Sequence, residues 1–180
     1  MTRLRLAIIA AGSALMLAFG AAPASASTDI NVSGMFTAHF PQAGQWKNVN
    51  DCPPDVFCGL GTLKGFGPAE IDVFDDNFAP IDGTNCLSFD KEDVVTLIGT
   101  NSTLVLVGTG TLCYPGNSGN VPTNFSNRDY GHPSFWTSNL KAVGAESSGI
   151  FAGVTGTVTE TFKSAGGVGV WKLAGRISSP

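Results

Sequence analysis

The chain of 180 residues is 43% hydrophobic and only 13% charged, and it holds 23 Gly. It therefore fits one domain and is neither disordered nor collagen-like. Ten Lys and Arg stand against 14 Asp and Glu, a net charge of −4, and no basic run occurs anywhere, so no nucleic-acid partner is expected.

The chain opens on Arg3 and Arg5, continues through the apolar run Leu6 to Phe19, and reaches Ala24-Ser25-Ala26, a small-residue cleavage pattern. Residues 1–26 are expected to be a secretory signal peptide, with a single β-barrel domain over 27–180 that is secreted to the extracellular space. The run is shorter than the roughly 20 apolar residues a spanning helix needs and ends in Gly20 and Pro23, so no membrane contact is expected after cleavage.

Export places Cys52, Cys58, Cys86 and Cys113 where disulfides persist. Cys52 and Cys58 enclose a segment that Pro53 and Pro54 bend into a loop, so a local bridge is expected there, which leaves Cys86 to pair with Cys113. The close cysteine pairs of zinc sites are missing and both His are remote, so no metal is expected.

Taken in chain order, the dominant signal is period two. Ile30, Val32, Phe36, Ala38 and Phe40 alternate with polar residues and predict a half-buried strand, disturbed only at Gly34 and Met35. Ile71 and Val73 alternate with Glu70 and Asp72, and Cys86 to Asp90 reads as extended. Val94 to Ile98 and Leu104 to Val107 are apolar or β-branched throughout, joined by the turn Gly99-Thr100-Asn101-Ser102, and predict a hairpin covered on both faces. The expected cover is the segment Phe125 to Trp136 or a second subunit. Across this hairpin Cys86 faces Cys113 if one bulge is allowed near Lys91. Residues 115–134, rich in Gly, Pro and Asn, read as a long loop. Asn139 to Glu146 has room for a short helical turn.

Near the C-terminus Thr157, Thr159 and Thr161 alternate with Val158, Glu160 and Phe162. After a Gly turn, Trp171, Leu173 and Ile177 share the face opposite Lys172 and Arg176. The class is all-β, and short strands without covering helices favour closure into one antiparallel, disulfide-stapled barrel.

The stretch Gly149-Ile150-Phe151-Ala152-Gly153-Val154-Thr155-Gly156, its Thr-rich strand and the closing strand to Gly175-Arg176-Ile177 resemble the end of the allene oxide cyclase-like and dirigent-like β-barrels. They also resemble a group of small secreted bacterial calycin-like barrel proteins. The resemblance implies a calycin-like barrel, in whose enzyme members the mouth isomerises or couples small apolar or phenolic molecules. It transfers no site residue to this chain.

Several motifs fail on their chemistry. Thr37-Ala38-His39 and Gly116-Asn117-Ser118-Gly119 echo a serine protease only faintly, because that triad needs two barrels and this chain is sized for one. Gly59, Gly61 and Gly65 lack the βαβ context of a phosphate loop and read as bulges or tight turns. Asp72, Asp75, Asp76, Asn77 and Asp82 fit no EF-hand spacing and read as solvated turn residues. Trp46, Phe125, Tyr130, Phe135 and Trp136 fall in or beside loops, as an exposed platform or as core plugs. Asn101-Ser102-Thr103 and Asn124-Phe125-Ser126 match a glycosylation pattern that is too short to weigh.

Glu160 is the carboxylate of interest, and its strand leaves two orientations open. With the threonines inward it is solvated; with Val158 and Phe162 inward it projects into the lumen among apolar neighbours. In the second case Glu160, Phe162, Trp171 and Leu173 form a ligand-binding wall, with Glu160 as a lone carboxylate whose pKa burial raises unless Lys or Arg reaches it. No catalytic constellation and no cofactor are expected. The expected role is a non-catalytic binding module for a small apolar ligand or a surface partner. The alternatives are an allene oxide cyclase-like lyase or isomerase, and a self-associating structural protein that forms homo-oligomers.

Overall fold

A computed structural model describes residues 27–39, 56–113, 134–165 and 168–180. The signal-peptide segment, Cys52, Phe40, Trp46, Ser118, Asn124 and the body of the long loop lie outside the described residues. Eight strands follow one another: β1 Thr28–His39, β2 Phe57–Leu63, β3 Gly67–Pro80, β4 Cys86–Leu97, β5 Thr103–Cys113, β6 Ser134–Ala142, β7 Thr155–Ala165 and β8 Val168–Ser179. Each pairs antiparallel with the next, and β8 returns to β1, so the sheet is a closed barrel with no free edge. The all-β, antiparallel, disulfide-stapled barrel is thus the observed architecture.

Period two explains which side chains fill it. Val32, Phe36 and Ala38 of β1 are buried, and Gly34 continues the same face where a Cβ would fall 2.8 Å from the Phe36 ring. Met35 points outward and is exposed, so the apparent disturbance in β1 is the alternation itself. Glycine also admits a close strand crossing: Gly59 and Gly61 lie within β2, and a Cβ on Gly61 would sit 2.0 Å from the Met35 carbonyl oxygen. They are neither bulges nor tight turns, which corrects that expectation; only Gly65 occupies a turn.

The register of β4 with β5 runs unbroken from Cys86 opposite Cys113 to Thr96 opposite Thr103. The Cys86–Cys113 disulfide forms across it as expected, without the bulge proposed near Lys91. The register shift falls instead in β3, between Asp76 and Ala79. Cys58 is also disulfide-bonded, and the expected bridge to Cys52 lies outside the described residues.

Val95, Leu97, Leu104 and Leu106 face inward and are buried. On the outer face Val94 and Val107 are half-buried and Ile98 is exposed, so the hairpin is covered on both faces only around Val105. The cover there is the connection after β6. Val143 N–H donates to the Val105 carbonyl at 2.9 Å, and Val105 N–H donates to Ser147 Oγ at 3.0 Å. The helical turn expected within Asn139 to Glu146 is narrower than that span: Asn139–Ala142 ends β6, and one turn follows in which Glu146 and Ser147 N–H both donate to the Val143 carbonyl, ahead of the 3-10 segment Gly149–Phe151.

That segment closes one end of the barrel. Phe151 and Val154 are buried, and the Phe151 ring lies 5.1 Å from Phe66 in the β2–β3 turn. Within the resemblance stretch, Phe151 and Val154 form the plug and Thr155 and Gly156 begin β7, with Gly149, Gly153 and Gly156 all at positive φ.

Candidate functional site

The inner faces of β4, β6, β7 and β8 meet in the middle of the lumen. Along β4 the inward sequence is Leu87, Phe89, Lys91, Asp93, Val95, Leu97, so two charged residues interrupt an otherwise apolar face. β7 resolves its open orientation by turning Val158, Glu160 and Phe162 inward and its threonines outward. β8 turns Trp171, Leu173 and Ile177 inward, as a shared hairpin face requires.

Glu160 is not a lone carboxylate, which corrects that expectation. Lys91 Nζ lies 3.1 Å from Glu160 Oε2, 3.0 Å from Asp93 Oδ1 and 3.3 Å from Asp75 Oδ1. The side chains of Lys91, Asp93 and Glu160 are 0% exposed and that of Asp75 is 3% exposed, so the cluster is sealed from solvent. Asp75 comes from the acidic run expected to be solvated turn residues. β3 instead extends through it, and pairing opposite Lys91 draws it onto the cluster, while Asn77 reaches outward to Asp90.

An aromatic layer lies beside the charges. Trp136 stacks on Phe162 with ring centroids 3.7 Å apart, and Phe162 lies 4.7 Å from Trp171. Trp136 Nε1 donates to Glu160 Oε1 at 2.8 Å, and Lys91 Nζ sits 5.1 Å from the Trp136 ring centroid, a cation–π contact. Trp136 is therefore a lumenal core residue, whereas its neighbour Phe135 faces outward and is exposed.

The electrostatics follow from burial and charge count. Burial alone pushes Lys91 down, but Asp93, Glu160 and Asp75 outweigh it and hold the ammonium above the ordinary lysine range. Burial holds the Asp93 carboxyl well above the usual carboxylate range; Lys91 opposes the shift, while Glu160 adds to it. Asp93 Oδ1 and Glu160 Oε2 have the Lys91 ammonium as their contact, whereas Asp93 Oδ2, Ser138 Oγ and Trp171 Nε1 are buried without a hydrogen-bond partner. Ser138 stands directly opposite Glu160 in the β6–β7 register.

The four residues expected to form a ligand wall are thus brought together in the lumen, and all are packed: Glu160 and Trp171 at 0% exposure, Phe162 at 1% and Leu173 at 2%. Sequence reasoning missed Lys91, Asp93, Asp75, Ser138 and the inward turn of Trp136. The available signal was the unbroken period-two face from Leu87 to Leu97. Treating Cys86 to Asp90 and Val94 to Ile98 as separate strands hid it.

Among the described residues, Cys58, Glu70 and Asp72 come close enough together to hold a metal, but the Cys58 sulfur is in a disulfide and offers no thiolate. No protein-family model, curated protein or solved structure matches this chain.

Proposed function

We propose that the protein is an exported, non-catalytic binding module, which meets a surface partner with its outer wall and rim while the lumen serves as its core. One observation carries this reading. Glu160, Phe162, Trp171 and Leu173, the residues a lumenal ligand would contact, have 2% exposure or less, so the wall is filled by its own side chains. A drug-sized ligand needs a preformed cleft of roughly 300 Å³ or more. Seating one here means displacing the Trp136, Phe162 and Trp171 rings and breaking the ion pairs beneath them.

A second reading is favoured by a separate observation. The lumen holds an ammonium and carboxyl groups beside aromatic rings, the kind of acid and base that a lyase or isomerase of the allene oxide cyclase-like kind uses on a small apolar substrate. One experiment separates the two. Native mass spectrometry of the protein purified from culture medium is expected to give the polypeptide mass alone. A stoichiometric small molecule, released on denaturation and lost in Glu160→Gln, would overturn the surface reading in favour of the lumen.

A further inference from the structure

The lumenal cluster sets one cation against three carboxyl groups. Asp75 reaches it from β3, Lys91 and Asp93 from β4, and Glu160 from β7. Among the described residues, the register neighbours of these positions on the adjoining strands are uncharged: Ser138 on β6, Leu106 and Gly108 on β5, and Leu173 on β8, beside Trp136 and Trp171. With Lys91, Asp93 and Glu160 all ionised, two carboxylates share one ammonium in a space closed to water, an arrangement a dry interior tolerates poorly.

The hydrogen bonding points the same way. Lys91 Nζ stands 3.0 Å from Asp93 Oδ1 and 3.1 Å from Glu160 Oε2, so one ammonium serves both carboxyl groups, while Asp93 Oδ2 is buried with no protein donor. Ordinarily a buried water would supply the donors. The 0% exposure of the Lys91, Asp93 and Glu160 side chains leaves no water-sized space against them. The donor that fits is smaller than water, namely a proton.

We propose that Asp93 keeps a proton in the folded barrel and donates it in a hydrogen bond to Glu160, so that the cluster is a pH-gated bolt joining β4 to β7 across the lumen. With the proton in place, Asp93 donates to Glu160, and the Lys91 ammonium balances the Glu160 carboxylate. Once the proton is lost, two carboxylates face each other with one ammonium between them, and the aromatic layer above loosens. Burial and the neighbouring Glu160 both favour protonated Asp93, which accords with this arrangement. The proposal stands independently of which surface the protein binds with.

The test follows two groups in the intact barrel as pH is raised from mildly acid to alkaline: the Asp93 carboxyl carbon by ¹³C NMR, and the Trp136 indole N–H, which donates to Glu160 Oε1. The Asp93 carbon is expected to keep its protonated position through the range in which exposed carboxyls ionise. When it does shift, the Trp136 resonance shifts with the same midpoint. Asp93→Asn offers Glu160 a permanent N–H donor, and there the Trp136 shift should vanish. Ionisation of Asp93 together with the exposed carboxyls would overturn the proposal, and so would an unchanged Trp136 titration in Asp93→Asn. Should that variant not fold, the Asp93 carbon in the native protein decides the matter alone.

Discussion

Lys91 is the residue on which the lumenal charges depend, since it is the ammonium in contact with Asp75, Asp93 and Glu160. Removing one partner of a buried ion pair strands the others. Lys91→Met is therefore expected to destabilise the barrel by about 3–5 kcal/mol in urea denaturation, far more than replacement of exposed Lys172. Asp93 carries a pH dependence whose sign is fixed by its raised pKa. Its contribution to stability is whole below the ordinary value of 3.8 and is lost as pH rises through the folded value, because the folded chain binds a proton that the unfolded chain releases. Lys91 adds nothing to this window, because its raised pKa makes its contribution whole below 10.5 and lost only above. The urea midpoint should accordingly fall with rising pH, and Asp93→Asn should make that fall shallower. A residual slope should remain from Asp72, which burial and then Glu70 push upward in the same sense.

Among the elements, β2 depends on a side chain being absent. It joins β1 through the register pairs from Gly34 with Leu63 to Thr37 with Leu60, where Gly61 lies against the β1 backbone. Gly61→Ala is expected to cost about 1–3 kcal/mol or more, since backbone cannot yield as a flexible side chain does. Hydrogen exchange should show the loss first in β1 and β2. The hairpin of β4 and β5 has the opposite character, being tied at its open end by Cys86–Cys113 over a sequence separation of 27. In the chain-entropy model, replacing both cysteines with Ser should lower stability by about 3–4 kcal/mol. An unchanged denaturation midpoint would show that the unfolded chain gains no freedom from the cut.

For the molecule as a whole, closure is the property that matters. β1 pairs with β8 from Thr28 opposite Ser179 to His39 opposite Val168, and this seam removes the last two sheet edges. Deleting Thr28–His39 would expose the edges of β2 and β8. Aggregation at concentrations where the closed barrel stays dispersed is the expected result, measured by light scattering. Because β1 begins at Thr28, the expected cleavage after Ala26 spares the seam. N-terminal sequencing of exported protein should read from Ser27, with thermal stability equal to that of a chain expressed from that residue.

The sequence by itself determined β1, β7, β8 and much of β3 to β5, because alternation is local, but not β2 or β6, whose glycines and flanking loop hid it. Val32 to Ala38, Val158 to Phe162 and Trp171 to Ile177 each state which residues share a face, and together with the glycine turns and the Cys86–Cys113 spacing they specify an all-β hairpin framework. It left open which face of β7 points inward, because threonine suits either side of a sheet. Barrel closure decided that. Turning Thr157, Thr159 and Thr161 inward would have put Val158 and Phe162 in water, and the pairing of Phe162 with Trp136 and Trp171 would have been lost. The charged cluster lay beyond any local pattern for a related reason. Asp75, Lys91, Asp93 and Glu160 come from three strands, and an isolated lysine within an apolar period is a violation until the barrel supplies its carboxylates from across the lumen.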